Sequence, residues 1–316
     1  MKLTVTSSPH IRGNFRTSRL MLDVVIALTP ALLVGIYVLG IRALWVTLVC
    51  MGAAVITEAL CSLLLQKRCT VIDCSAMVTG LLLAMTLPAS TPYWLAAAGS
   101  VFAILAAKLM FGGLGQNIFN PALLARALMM LVCPAALTNY AASGVDAVSS
   151  ATPLHHMVMP ALPEQSILDM FLGNCPGSIG ELSALALIAG GVYLLCRNVI
   201  SRRIPLGYIG SVAILTLVFY KTDNALSWML YQLFSGGLML GAFFMATDFV
   251  TSPVTKPGQW IFGIGCGILT VVFRYFGLFP EGVTYAILLM NLLVWVIDRY
   301  TPYKTYGYQK GGAPRA

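Results

Sequence analysis

The chain is divided by short polar breaks into long apolar runs near residues 20–40, 43–66, 74–89, 93–111, 119–135, 179–197, 205–221, 228–249, 258–275 and 282–298. A hydrocarbon layer about 30 Å thick takes roughly 20 helical residues to cross, so each run reads as one membrane-spanning helix. Barrel strands are ruled out by pattern, because the runs are continuous and rich in Leu, Ala and Met rather than alternating. The expected fold class is an all-α integral membrane protein with ten transmembrane helices. At 59% hydrophobic and 9% charged residues, with mean hydropathy +0.85, the 316-residue chain is unlike a water-soluble enzyme, a disordered segment or a nucleic-acid-binding module. Its eight cysteines form no CxxC pair, and most lie in apolar runs, where Cys acts as a small hydrophobe.

The charge of +8 is a topology signal. With the N-terminus in the cytoplasm, fifteen of the 19 Lys and Arg residues, from Lys2 to Arg315, fall on the inside. Only Arg42, Lys221 and Arg274 fall on the outside, and Arg126 lies within a span. That bias fixes both termini in the cytoplasm and the 136–177 loop, which has no Lys or Arg, beyond the membrane. The first eighteen residues lack the apolar stretch of a cleavable signal peptide.

The two groups of five spans resemble each other. Gly80-Leu-Leu-Leu-Ala-Met-Thr-Leu-Pro88 lines up with Gly241-Ala-Phe-Phe-Met-Ala-Thr-Asp248-Phe, and Gly113-Leu114 and Ala122-Leu123-Leu124 line up with Gly277-Leu278 and Ala286-Ile287-Leu288. An odd number of spans per copy makes the second copy enter from the opposite side. Two inverted five-helix repeats with Gly/Pro-interrupted spans point to a site built from broken helices near the midplane. The organisation is then an N-terminal arm and first repeat (1–135), an extracytoplasmic loop (136–177), and a second repeat with a cytoplasmic tail (178–316).

An ionisable residue inside a span costs ~3 kcal/mol or more and is a functional candidate by default. Glu58, Asp248, Glu181 and Arg126 meet that description. Asp23 and Arg274 lie near span ends, where side chains snorkel to the interface. Glu58 and Asp248, the deepest, read either as helix–helix clamps or as stations where a cation or proton pauses; Glu181 reads as a helix cap or as part of the same path. The cytoplasmic stretch Gly112-Gly-Leu-Gly-Gln-Asn117-Ile-Phe-Asn120-Pro-Ala122 offers Asn117 and Asn120 as amide donors and acceptors suited to a planar heterocycle. Capping by Asn120 ahead of Pro121 also accounts for them.

The outer loop holds Asp146-Ala-Val-Ser149-Ser150-Ala151-Thr152-Pro153. Pro153 biases Thr152 toward an extended backbone that presents its hydroxyl. Asp-x-x-Ser-x-Ala-Thr resembles the flavinylation signature, in which a dedicated transferase joins the phosphate of FMN to the last hydroxyl as a phosphoester; Ser150 stands where the signature has Gly. With Ser8-Pro9-His10-Ile11-Arg12, Gly115-Gln-Asn117-Ile-Phe-Asn120-Pro-Ala122 and Gly180-Glu181-x-Ser183, nearly the whole chain resembles the RnfD proteins of the Rnf electron transport complex, in the NqrB/RnfD family. NqrB, their homologue, belongs to the sodium-pumping NADH:quinone reductase.

The resemblance implies a membrane subunit of an ion-translocating ferredoxin:NAD⁺ oxidoreductase in the bacterial cytoplasmic (inner) membrane, inactive alone. It implies covalent FMN on Thr152, set in the Asp146, Ser149, Ser150 and Ala151 signature. Some members also hold a noncovalent riboflavin nearer the cytoplasm. Asn117, Asn120 and Arg126 are expected to line such a second flavin pocket, with Arg126 facing a reduced, anionic flavin. Glu58, Asp248 and Glu181 are the candidates for coupling Na⁺ or H⁺. Partners would be the other complex subunits, the flavin transferase and the lipid bilayer, with no nucleic acid. No iron–sulfur cysteine run or nucleotide-binding Gly-rich turn is evident, which leaves ferredoxin and NAD to other subunits. The alternative is an inverted-repeat secondary transporter or channel for a small solute, without flavin.

Overall fold

A computed structural model describes residues 17–64, 73–113, 115–138, 140–141, 149–150, 166–173, 175–222, 224–276 and 282–302. Among these residues the regular structure is helical, except for a two-residue antiparallel ladder that pairs Tyr140 with Ser150 and Ala141 with Ser149. The helices are α1 (Thr17–Leu39), α2 (Ile41–Leu64), α3 (Ser75–Thr86), α4 (Tyr93–Ile104), α5 (Pro121–Val132), α6 (Pro134–Leu137), α7 (Ile167–Leu172), α8 (Ala184–Cys196), α9 (Arg203–Val218), α10 (Ala225–Phe234), α11 (Leu238–Leu240), α12 (Lys256–Phe276) and α13 (Val283–Tyr300). Two of them widen into π-helical turns, α4 at Leu105–Leu109 and α11 at Gly241–Met245.

Every apolar run contains a helix, but the helices differ in length. Four (α1, α2, α12 and α13) are long and apolar enough to cross a membrane, and α10 with α11 forms a fifth candidate, bent by 63° at its break. Their outward faces expose Leu33, Ile56, Ile264 and Leu292, as lipid contact requires. By contrast, α3 and α5 have 12 residues each and α8 has 13. At 1.5 Å per residue, 12 residues reach only about 18 Å.

Helix ends inside such a protein need partners for their free carbonyls and N–H groups. Those of α3 come from the far half of the chain. The N–H groups of Ile179 and Gly180 donate to Leu87 O (3.0 Å) and Met85 O (2.8 Å). Gly180 allows this approach, since a Cβ there would meet Met85 O at 2.9 Å. Residues 179–183, expected to open a helix, instead form this hook, and α8 starts at Ala184 with Ser183 Oγ accepting from Ala186 N–H (3.3 Å).

The packing partners follow a repeated scheme. Helix α2 packs on α3 and α4 as α9 packs on α10 and α12; α4 packs on α5 as α12 packs on α13. Across the two groups, α1 lies against α8 and α5 against α13. Leu28, Leu83, Met85, Tyr208 and Phe262 fill the core between them.

Candidate functional site

A cleft of about 740 Å³, counting its open mouth, lies where the two groups meet. Its apolar walls include Val24 of α1, Val78 and Leu82 of α3, Leu194 of α8, and Phe243 and Phe244 of the π-turn after α11. Ser75, Thr79, Lys108, Asn117, Asn120, Thr247 and Asp248 add polar groups. Thr79 and Thr247 spend their hydroxyl protons on their own helices, at Ser75 O (3.0 Å) and Phe243 O (2.6 Å), and so face a ligand as acceptors. The slot is mostly apolar with a few polar groups, the make-up usual for small-molecule sites.

Asn117 and Asn120 both line this cleft, as does Asp248. Asn120 is occupied on both sides of its amide. Its Oδ1 accepts from Ala122 N–H (3.1 Å) and Leu123 N–H (3.4 Å), capping α5 ahead of Pro121, while Nδ2 donates to Met245 O (3.2 Å) at the end of α11. One side chain thus closes two helix ends from opposite halves. Asn120→Ala is expected to cost about 2 kcal/mol, one cap and one buried hydrogen bond. Thermal unfolding in detergent measures it, and an unchanged midpoint would contradict the double capping.

The carboxylates lie in three different settings. Asp248 is half-buried; it accepts from Thr251 Oγ1 (3.2 Å) and from the backbone N–H groups of Phe249 and Val250. Glu58 is buried on α2, with Oε1 2.6 Å from Lys108 Nζ. Lys108 sits in the π-turn of α4 and also donates to Ser75 Oγ at 2.7 Å. Glu181 is not the cap of α8; it is buried in the preceding hook, against Gly237 at the α10–α11 break. Arg126 is buried on α5 and is not among the residues lining the cleft. Asp146, Ala151 and Thr152 lie outside the described residues, and of Ser149 and Ser150 only the backbone is described.

Four residues take roles that the chain's pattern did not suggest. Lys108, grouped above with the cytoplasmic charges, is an internal ion-pair partner, although its place within the 93–111 run was a signal. Arg274 does not snorkel: its guanidinium donates to Gln232 O (2.5 Å), Gln232 Oε1 (3.0 Å) and Ser235 O (3.0 Å), holding the broken end of α10. Asp23 is also engaged internally, accepting from Tyr193 OH (3.0 Å) and pairing with Arg197 (3.3 Å). Asn291, buried on α13, donates to Thr251 O (3.1 Å) and accepts from Asn120 N–H (3.2 Å) once its amide is turned so that oxygen meets donor. An amide amid Leu and Val was the signal for it.

Residues 4–307 match the NQR2, RnfD, RnfE family. The chain belongs to that family. Among relatives, the D subunit of the Na(+)-translocating ferredoxin:NAD(+) oxidoreductase complex of Acetobacterium woodii is 46% identical over 98% of this chain and 97% of its own length. The D subunit of the proton-translocating ferredoxin:NAD(+) oxidoreductase complex of Clostridium ljungdahlii is 44% identical over 97% of each chain. Its counterpart in the ion-translocating oxidoreductase complex of Stutzerimonas stutzeri is 39% identical over 94% of each. Membership in this family and the apolar helices together make the protein an integral membrane protein.

Proposed function

We propose that the chain is the RnfD subunit of an ion-translocating ferredoxin:NAD⁺ oxidoreductase complex, an electron relay that works only with its partner subunits. Near full-length similarity to relatives named for that place in such complexes carries the reading. Covalent FMN on Thr152, attached by a flavin transferase at the outer face, and a noncovalent riboflavin in the cleft are the cofactors. The signature motif supports the first and the slot between the halves supports the second. Flavin accepts electrons singly or in pairs, and the protein contributes position, potential and exclusion of water.

The architecture belongs to the same reading: ten spans in two inverted repeats, 1–135 and 178–316, in the bacterial inner membrane with both termini cytoplasmic. Its support is the parallel packing of α2–α5 and α9–α13, together with the way each half closes a broken helix of the other. The hook at 179–180 completes α3, and Asn120 completes α11. Asp248, Glu58 and Glu181 remain the candidates for coupling Na⁺ or H⁺ to electron flow; the relatives' names divide between the two ions.

The test is a denaturing gel of membranes from cells that contain the flavin transferase, viewed under ultraviolet light. A fluorescent band near 33.9 kDa is expected, and Thr152→Ala is expected to remove it entirely. A dark wild-type band would favour a transporter without flavin.

A further inference from the structure

We propose that Lys108 is the charge that selects what the cleft binds, presenting an ammonium to the acceptor-rich edge of a flat ligand. The proposal rests on reading the cleft as a flavin site. Among the described residues lining it Lys108 is the one cation, and Arg126 is not among them. The ammonium has three donors. One goes to Glu58 Oε1 at 2.6 Å and one to Ser75 Oγ at 2.7 Å. Among the described residues the third has no hydrogen-bond partner.

Glu58 is buried and is not among the lining residues, whereas Lys108 and Ser75 are. Of the ion pair it is Lys108, the cation, that lines the cleft. Glu58 supplies the countercharge that makes a buried ammonium tolerable. The π-turn at Leu105–Leu109, with its extra residue per turn, carries Lys108 at this point. Among the other polar groups, Thr79 and Thr247 donate inward to their own helices, Asp248 is an acceptor, and Ser75, Asn117 and Asn120 are neutral, so none brings a positive charge to a negative edge.

An isoalloxazine that has gained one more electron than protons is negative, with the charge concentrated on its pyrimidine edge. In a low-dielectric site an ammonium beside that edge weighs far more than in water. Lys108 thus favours the reduced, anionic form over the oxidised one. Asp248 disfavours the same charge wherever the edge turns toward it, so the pair of residues also sets which way round the ring lies.

The experiment uses the purified whole complex. Noncovalent flavin is released by acid precipitation and quantified, and its midpoint is followed by absorbance in a titration with dithionite as the electron donor. The double variant Glu58→Gln with Lys108→Met removes both charges of the pair. It is expected to retain extractable flavin and to lower the one-electron midpoint by about 59 mV, a tenfold weaker preference for the reduced form. Retained flavin with an unchanged midpoint overturns the proposal. If the double variant does not assemble or hold flavin, Glu58→Asp serves: the shorter carboxylate draws the ammonium back from the cleft, and the midpoint must again fall. A wild-type complex without acid-extractable flavin would sink the reading of the cleft itself, an outcome separate from a failed shift.

Discussion

Glu58→Gln alone should destabilise the protein by about 3–5 kcal/mol, the usual result of stripping one partner from a buried ion pair. The pair is enclosed, with side-chain exposure of 3% for Lys108 and 1% for Glu58, so water cannot take over the carboxylate's role. An amide oxygen still accepts a hydrogen bond from Lys108 but supplies no countercharge. The double variant with Lys108→Met removes both charges and should recover most of the loss, within roughly 1–2 kcal/mol of the starting protein. Thermal unfolding of the three variants in detergent forms a double-mutant cycle, whose coupling energy should exceed about 2 kcal/mol. A loss below about 1 kcal/mol for Glu58→Gln would mean that water reaches the pair.

Arg274→Met should be almost as costly, at about 3–4 kcal/mol, for a different reason. The chain breaks at Gly236, whose φ of 65° suits glycine, so no following turn of helix supplies N–H groups to the last carbonyls of α10. The Arg274 guanidinium does so instead, reaching Gln232 O and Ser235 O at once. A cation there also complements the negative end of the helix dipole. Methionine fills the volume but leaves two buried carbonyls without a donor. Arg274→Lys keeps the charge and loses the fork, and should recover only part of the loss. Hydrogen exchange of amides 232–241 should speed up in Arg274→Met; unchanged protection there would show that the break holds itself.

Where the helices lie was legible because apolar runs mark them directly. Their lengths were not, because a helix end is set by what closes it. Helix α3 stops at Thr86 where Ile179 and Gly180 meet its carbonyls, and nothing near residue 86 announces a partner about 90 residues away. The site divides similarly. Asn117, Asn120 and Asp248 stand out locally, as amides beside glycines and a carboxylate in an apolar run, and the fold brings all three to one cleft. A lysine just before Gly112-Gly113 looks like a loop charge, and only the arrival of Glu58 from α2 shows that Lys108 is internal. Arg274 looks like a snorkelling residue for the same reason, since its acceptors are largely carbonyls, which sequence does not display. Thr152, proposed from its motif, lies outside the described residues.

The walls of the cleft are drawn from Met21 at one extreme and Val250 at the other. During synthesis α1 to α5 are therefore finished before any complete compartment exists. Whatever occupies that space enters as a late event of biogenesis, once residues near 250 have left the ribosome and the second half has docked. Any ligand of the cleft would thus join a chain whose earlier helices are already in the membrane.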